Sequence, residues 1–388
     1  MTKLRKYIFL LFGIFFIAFS RVSYAQDDPK EILEKSFRAC INLGGGSYSM
    51  DLSGKSFVDT KAVSTTATCK FLRVDGDSAA PFKFVVSMPN GDGALCTSND
   101  LVQFRGKDST GVIYSRSSNQ GVYRGAYQSE GLFPPFFQPQ VVFSLDRIEQ
   151  TTFIVRRGKD ESALGKSCFS IKLIDLIRAT QPDGQRQEKT FLIDKQTFLP
   201  LSYTEKSVMK LNSDSVYKEN IFRLTALSTV PVQDSVFAFK NIPQDFRLRN
   251  ILETVYHHHL KTADAAPGFT GKVLGGDSIT LNSTKGKRVL LFFFYRTSYP
   301  CLKALSAVQE FQNENKDVEV LLIGIDAAEE NLSALLSKRN ITLKAIEDGQ
   351  SIADQYFITA VPSFVFIDEK GIIRKIENGF GKEMDLKY

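Results

Sequence analysis

The sequence is poor in histidine, the commonest metal-ligating residue, and lacks tryptophan. Its 388 residues include no tryptophan, and its only three histidines are consecutive, at 257–259. Three consecutive side chains point in different directions on a helix or a strand, so they do not converge on one ion. We therefore expect no metal site and no bound cofactor.

The chain also lacks a concentrated excess of basic residues. Its formal net charge of +6 includes Lys3, Arg5, Lys6 and Arg21, which stand in Met1–Ala25 without any acid. The rest of the chain contains 45 lysines and arginines and 43 aspartates and glutamates. A nucleic-acid-binding protein normally carries a clustered basic excess, so this class is excluded.

No apolar run reaches the length of a membrane-spanning helix. The first run, Tyr7–Ser20, has 14 residues, whereas a spanning helix needs about 20. It follows basic residues and precedes the small residues around Ser23 and Ala25, which is typical of a secretory signal peptide. We expect residues 1–25 to be removed and the protein to be periplasmic or secreted, with no transmembrane segment after cleavage. An uncleaved anchor is the alternative.

Cysteine is scarce but unevenly placed. Four cysteines, Cys40, Cys69, Cys96 and Cys168, lie in the first half, where export would permit any of three disulfide pairings. The spacing does not choose between them, and we take Cys69 with Cys96 and Cys40 with Cys168 as the expectation. The alternative is that some are simply buried apolar residues. Cys301 is alone in the second half, so it is a candidate reactive thiol.

The first half predicts one helix followed by many strands. A helical stripe over Asp28–Leu43 ends at a triple glycine, which closes a helix rather than opening a phosphate-binding loop. The prolines and phenylalanines of Gly131–Phe137 predict an apolar loop or plug. Short β-rich runs occupy Phe82–Met88, Leu101–Phe104, Gly111–Tyr114, Thr152–Arg156, Cys168–Leu173, Thr190–Ile193 and Val216–Leu224. We therefore expect an antiparallel sheet curled around the helix.

Two segments of this half resemble a known family. Ala163–Leu173 and Phe191–Leu201 are similar to two late strands of the lipoprotein-carrier (LolA-like) half-barrel family, over residues 26–245. The resemblance implies a concave apolar face that holds a lipid or another hydrophobic ligand. The alternative is a closed core without a ligand, because apolar alternation does not distinguish a filled interior from an empty one.

Beyond a predicted linker at 246–265, the pattern changes to alternating strands and helices. We expect strands at Val289–Tyr295, Val318–Ile325, Phe364–Asp368 and Ile372–Ile376, and helices at Leu302–Phe311, Ala328–Lys338 and Ser351–Phe357. This order is a βαβ unit followed by a helix and a β-hairpin, so the second domain, 266–388, is an α/β layer fold. The fold class expected for the whole chain is α+β followed by α/β.

Three motifs of the second domain carry a further resemblance. Ala266-Pro267-Gly268-Phe269, Lys285-Gly286-Lys287 and Ala360-Val361-Pro362-Ser363-Phe364 resemble the thioredoxin-like superfamily, nearest its TlpA-like thiol–disulfide reductases and the AhpC/TSA redoxins. The resemblance implies a thioredoxin-like fold, oxidoreductase or antioxidant activity and a protein thiol or disulfide partner. It also implies a cis peptide bond at Pro362, which would face the active cysteine and the substrate.

The catalytic motif departs from this family. The reductases carry Trp-Cys-x-x-Cys after the first buried strand, where this chain places Tyr299 and Leu302 in an ungapped alignment. One deleted residue would put Cys301 at the resolving position and leave no attacking cysteine. Ser298 and Cys301 match only part of the redoxin pattern. A dithiol cycle within this domain is therefore excluded.

Two hypotheses follow for the function. In the first, Cys301 lies in the first turn of a helix, whose free N–H groups favour a thiolate nucleophile, and Ser298 and Pro362 complete the site. This hypothesis requires the sulfur to be exposed. In the second, Cys301 is inert and the protein is a binding or chaperone-like module.

Overall fold

The computed structural model describes residues 28–380, with gaps at 58, 60, 78–79, 118–119, 128–130, 149, 151–152, 177–185, 212–213, 243, 251–259 and 326–328. The predicted signal segment and the three histidines lie outside the described residues. Among the described helices, none is long and apolar enough to cross a membrane.

In the described part of the chain, the first element is helix α1 (Pro29–Ile41), as the periodicity predicts. It begins where the Asp28 side chain accepts a hydrogen bond from the Lys30 amide and Pro29 occupies the first turn. Ile32, Leu33 and Cys40 form its buried stripe. The helix ends at Asn42, and the chain then enters the first strand.

A 13-stranded sheet follows in the described part of the chain. Its strands are β1 (Gly45–Lys55), β2 (Val63–Arg73), β3 (Phe82–Ser87), β4 (Gly93–Cys96), β5 (Asp100–Arg105), β6 (Thr110–Ser115), β7 (Phe153–Arg157), β8 (Glu161–Ala163), β9 (Lys166–Asp175), β10 (Arg186–Asp194), β11 (Pro200–Leu211), β12 (Asp214–Ser228) and β13 (Arg247–Asn250). The order is β13-β6-β5-β4-β3-β2-β1-β12-β11-β10-β9-β7, with β8 paired to β9. All neighbours are antiparallel except β13 and β6. The antiparallel sheet is thus confirmed, while its half-barrel shape remains a prediction.

Short helices fill one face of this sheet. They are α2 (Gln120–Ala126), α3 (Pro134–Phe137) and α4 (Pro139–Phe143). Phe133, Phe136 and Phe143 are fully buried in one core with α1 and the strands. The rings of Phe133 and Phe136 lie 4.9 Å apart, and that of Phe143 stacks on Phe191 at 5.1 Å. Among the described residues, the rings of 131–137 therefore pack into the core of this sheet, as expected for an apolar plug.

The expected disulfide between Cys69 and Cys96 is wrong. Both are free thiols. Cys69 on β2 pairs with Val86 of β3, and Cys96 on β4 pairs with Phe84 of the same β3. Two strand spacings, about 9.5 Å, therefore separate the two chains, which exceeds the roughly 7 Å between Cα atoms that a disulfide tolerates.

The second expected pairing is likewise not found. Cys40 and Cys168 are free and fully buried, and the Cys168 thiol contacts the Lys166 carbonyl at 3.5 Å. All four cysteines belong to the apolar core of the N-terminal sheet. They are small buried residues, which is the alternative that the sequence left open.

The second half has the predicted order of strands and helices. Its elements are β14 (Thr270–Lys272), β15 (Ser278–Thr280), β16 (Arg288–Phe294), α5 (Tyr299–Glu314), β17 (Val318–Gly324), α6 (Glu329–Lys338), β18 (Lys344–Ile346), α7 (Gln350–Gln355), β19 (Ser363–Ile367) and β20 (Ile373–Asn378). The sheet order is β18-β17-β16-β19-β20, with β16, β17 and β18 parallel and β19 antiparallel to β16. The short strands β14, β15 and β18 were not predicted.

The central strand β16 shows why this sheet is covered on both faces. Its run of apolar residues is buried throughout 289–294. Phe292 and Phe294 enter the core that contains α5, whereas Phe293 enters the core on the opposite face with Tyr356. A continuous apolar strand is typical of a parallel sheet between helical layers.

Within the predicted linker, the structure instead adds Arg247–Asn250 to the N-terminal sheet as β13.

Candidate functional site

The candidate site lies at one end of the C-terminal sheet. Strand β16 runs antiparallel to β19, with Phe293 opposite Ser363. The end of β16, which leads to Ser298 and Cys301, therefore lies at the same end as Pro362, which precedes β19. The Val361–Pro362 peptide bond is cis, as the resemblance implies. The fold thus brings all three predicted site residues to one end of the sheet, which we call the site end.

Helix α5 begins at this site end. Ser298 is the N-cap of this helix. The Ser298 carbonyl accepts a hydrogen bond from the Leu302 amide at 3.0 Å, but the Ser298 side chain makes no capping hydrogen bond. Tyr299 and Pro300 follow as the first two helical residues, where proline is tolerated because no intrahelical donor is needed. Cys301 is the third, so it lies in the first helical turn, as expected.

The surroundings of Cys301 differ from those of a nucleophile. The side chain has no exposed surface and lies in the apolar cluster that includes Phe294, Leu305 and Phe364. A reactive cysteine needs partial exposure together with an electropositive environment. The start of the helix supplies the electropositive environment, but the Cys301 side chain lacks the partial exposure.

Comparisons with known proteins identify the relatives of this domain. The AhpC/TSA family model matches residues 262–376. The thioredoxin-like protein YneN of Bacillus subtilis is 30% identical over 134 residues, covering 33% of this chain and 79% of YneN. The chain belongs to the AhpC/TSA family of thioredoxin-like proteins.

Other relatives and solved structures are similar over the same share of the chain. The thiol-disulfide oxidoreductase ResA of Bacillus thuringiensis subsp. konkukian is 31% identical over 127 residues, which is 32% of this chain and 73% of ResA. The thioredoxin domain of the thiol-disulfide oxidoreductase BVU-2223 from Bacteroides vulgatus is 25% identical. That match covers 31% of this chain and 90% of the domain, with a TM-score of 0.29.

This AhpC/TSA family member has no second thiol at the site end. Each of its other four cysteines belongs to the core of the N-terminal sheet, whereas Cys301 belongs to the core of the C-terminal domain. Since the described residues include all five cysteines, the structure supports the count made from the sequence: this domain holds one thiol where a dithiol cycle needs two.

Arg339 approaches the first turn of α5 from the end of α6. Its guanidinium donates a hydrogen bond to the Leu302 carbonyl at 2.8 Å. Burial lowers the pKa of Arg339, and the neighbouring Tyr299 opposes this shift. The contact joins α6 to the helix that carries Cys301, and the sequence analysis did not identify it.

The N-terminal domain contributes side chains to the apolar cluster that contains Cys301. Phe57, which follows β1, and Met209 and Val216, which pair across β11 and β12, are buried in the same apolar cluster as Cys301. We call these three residues the apolar knob. Nothing in the local sequence pattern indicates this contact, because the knob is built from residues far from Cys301 in the chain.

An ion pair adjoins the knob. Asp59 of the β1–β2 loop pairs with Arg296, which lies in the loop between β16 and α5. The two side chains are only 10% and 13% exposed. The other carboxylate oxygen of Asp59 accepts a hydrogen bond from the Ser56 amide at 2.8 Å, which holds the loop in shape. The local signal in the sequence is Arg296, a charged residue that follows the apolar run of β16 and could have indicated an ion pair in this loop.

Proposed function

We propose that this chain binds an extended polypeptide at the site end of its C-terminal domain and performs no thiol–disulfide cycle there. The complete burial of Cys301 carries this proposal. Disulfide exchange begins when a thiolate attacks a disulfide sulfur in line, so the attacking sulfur must be reached by the substrate. A sulfur without exposed surface does not meet that requirement.

The position of Cys301 in α5 supports the same conclusion. It is the third residue of the helix, and Tyr299 is the first. If one residue of the family motif is deleted, Cys301 corresponds to the resolving cysteine and the attacking one is missing. A resolving cysteine acts on a mixed disulfide that another thiol has formed, so it does not start the reaction alone.

The backbone beside Pro362 supports the binding role. The Ser363 hydroxyl donates to the Ala360 carbonyl at 2.6 Å, and the Gly379 amide donates to the Pro362 carbonyl at 2.7 Å. Among the described residues, none is hydrogen-bonded to the backbone of Val361, which lies between them. This peptide unit is available to an extended segment that adds to the site by main-chain hydrogen bonds.

The names of the relatives support a polypeptide ligand. ResA is named a thiol-disulfide oxidoreductase, and the partners of such proteins are protein thiols and disulfides. We propose that this chain retains the polypeptide-binding part of that role and has lost the chemistry.

Thiol kinetics test this proposal. Native protein should react with a thiol reagent at Cys301 at least about 100-fold more slowly than urea-unfolded protein, because exposure requires opening of the core. Cys301→Ser should leave any exchange with a disulfide-bonded peptide unchanged within about twofold. Rapid native labelling of Cys301, or exchange activity that disappears in the variant, would show that the protein is a single-cysteine oxidoreductase instead.

We also propose that the chain is exported. Its support is the basic, apolar and small-residue succession of residues 1–25. The test is the intact mass of protein recovered from the periplasm or the medium. A mass that corresponds to a chain starting at Gln26 would agree with export and cleavage, and a mass that includes the segment from Met1 would contradict cleavage.

A further inference from the structure

In the contact between the two domains, one loop of the N-terminal domain packs against the C-terminal domain as a bound ligand would. Phe57 places an aromatic side chain in the apolar cluster of Cys301, and Asp59 places a carboxylate on Arg296. The two residues stand two positions apart in one loop. Both of their contacts fall at or beside the site end, which the proposed function assigns to an extended polypeptide.

Two other ion pairs between the domains, among the described residues, are more exposed. Lys107 and Asp348 are 77% and 69% exposed, and Arg249 and Asp354 are 40% and 29% exposed. Exposed pairs contribute little to association, whereas removal of one member of a desolvated pair leaves an uncompensated charge. Of these three pairs, Asp59–Arg296 is the most buried, so its loss should weaken the contact between the domains the most.

We propose that Phe57 and Asp59 act as an internal ligand of the site end, and that this surface selects polypeptides with an aromatic residue followed two positions later by a carboxylate. Phe57 occupies the apolar part of the surface and Asp59 occupies its cationic part. The inference rests on the proposed function and specifies its ligand. An external segment of this chemistry competes with the internal one, so the intact protein binds it weakly.

The test uses the full chain and a labelled peptide with the sequence of residues 53–63. Asp59→Lys removes the internal carboxylate and places a lysine beside Arg296, which opens the site end. The variant should bind the peptide at least about tenfold more tightly than the natural chain, because the internal competitor has been weakened. Cys301 should also be alkylated at least about tenfold faster.

Charge exchange tests the selectivity. Arg296→Glu should also open the site end but should reject the natural peptide, and it should prefer by about tenfold a peptide in which lysine replaces the aspartate. The double variant with Asp59→Lys and Arg296→Glu restores an ion pair. It should therefore return to slow alkylation and weak peptide binding.

Three controls define the comparison. Lys107→Glu reverses a charge in an exposed pair between the domains and should behave as the natural chain. Asp59→Asn retains an acceptor for the Ser56 amide and should open the site end less than Asp59→Lys. A peptide with alanine in place of its phenylalanine should lose at least about tenfold in affinity for Asp59→Lys, since the aromatic burial is lost.

The outcomes separate this inference from the proposed function. If Asp59→Lys and Arg296→Glu both expose Cys301 but neither binds its matching peptide, the loop is a domain contact and the inference is overturned. Unchanged alkylation in both variants would overturn it as well. If the opened protein gains disulfide exchange that depends on Cys301, the internal ligand stands and the proposal of a silent site fails.

Discussion

At the scale of single residues, the buried thiols of the N-terminal core affect stability rather than redox chemistry. Burial raises the pKa of Cys69 to about 12, against a small opposing hydrogen bond from Tyr48. Burial likewise raises the pKa of Cys96 to about 12, and its sulfur lies 3.3 Å from the Tyr123 hydroxyl. Such thiols stay protonated in the folded protein at pH values where an exposed thiol ionises.

Cys69→Ala should therefore alter the dependence of stability on alkaline pH. The unfolded thiol ionises near 9.0 and the folded one near 12, so above pH 9 the unfolded chain binds fewer protons and the free energy of unfolding falls as pH rises. Each such thiol contributes up to about 1.4 kcal/mol per pH unit. The measurement is urea unfolding under reducing conditions at about pH 8 and about pH 10. Between these pH values, the free energy of unfolding should fall by about 1 kcal/mol less in the variant than in the natural protein.

The Cys69→Ala variant also leaves a small cavity, so its absolute stability at neutral pH should be lower than that of the natural protein. The change between the two pH values is the informative quantity. Equal losses in both proteins would contradict the raised pKa.

At the scale of elements, two short helices decide what the N-terminal sheet encloses. Phe136 of α3 is fully buried, with its ring 4.9 Å from Phe133, 6.0 Å from Phe71 and 6.2 Å from Tyr48. The prolines of 131–137 predicted that this segment is not a central strand. The local sequence did not determine that its rings fill the interior, since this depends on the strands that face it.

Phe136→Ala should destabilise the protein by about 3–5 kcal/mol, as expected for an aromatic residue lost from a packed core. Phe239→Ala is the matched control, because Phe239 is 44% exposed, and it should cost about 0.5 kcal/mol or less. The free energies come from urea unfolding with reductant present. A loss below about 1 kcal/mol for Phe136→Ala, together with stronger binding of an apolar dye, would favour an open ligand cavity instead.

At the scale of the whole molecule, the domains share an apolar cluster and a desolvated ion pair. The knob residues Phe57, Met209 and Val216 are each less than 10% exposed. Burying one such side chain contributes about 1.5–3 kcal/mol, so the three together couple the stability of one domain to that of the other.

The natural chain should therefore unfold in one calorimetric transition. Arg296→Glu, which places a second acid beside Asp59, should separate this transition into two by weakening the contact between the domains. Lys107→Glu should leave a single transition. Two separate transitions in the natural chain would show that the domains are not energetically coupled.

Local chemistry alone determined much of this protein. The helix at 29–41, the order of strands and helices after residue 288 and the lack of a cysteine pair at the site end follow from periodicity, capping and count, because these depend on near neighbours. The tertiary structure decided the burial of Cys301, the free state of the other thiols and the pairing of Asp59 with Arg296. Those features depend on which distant segments meet. Asp59 and Arg296 are 237 positions apart in the sequence, and no periodic pattern in the chain indicates a contact over such a separation.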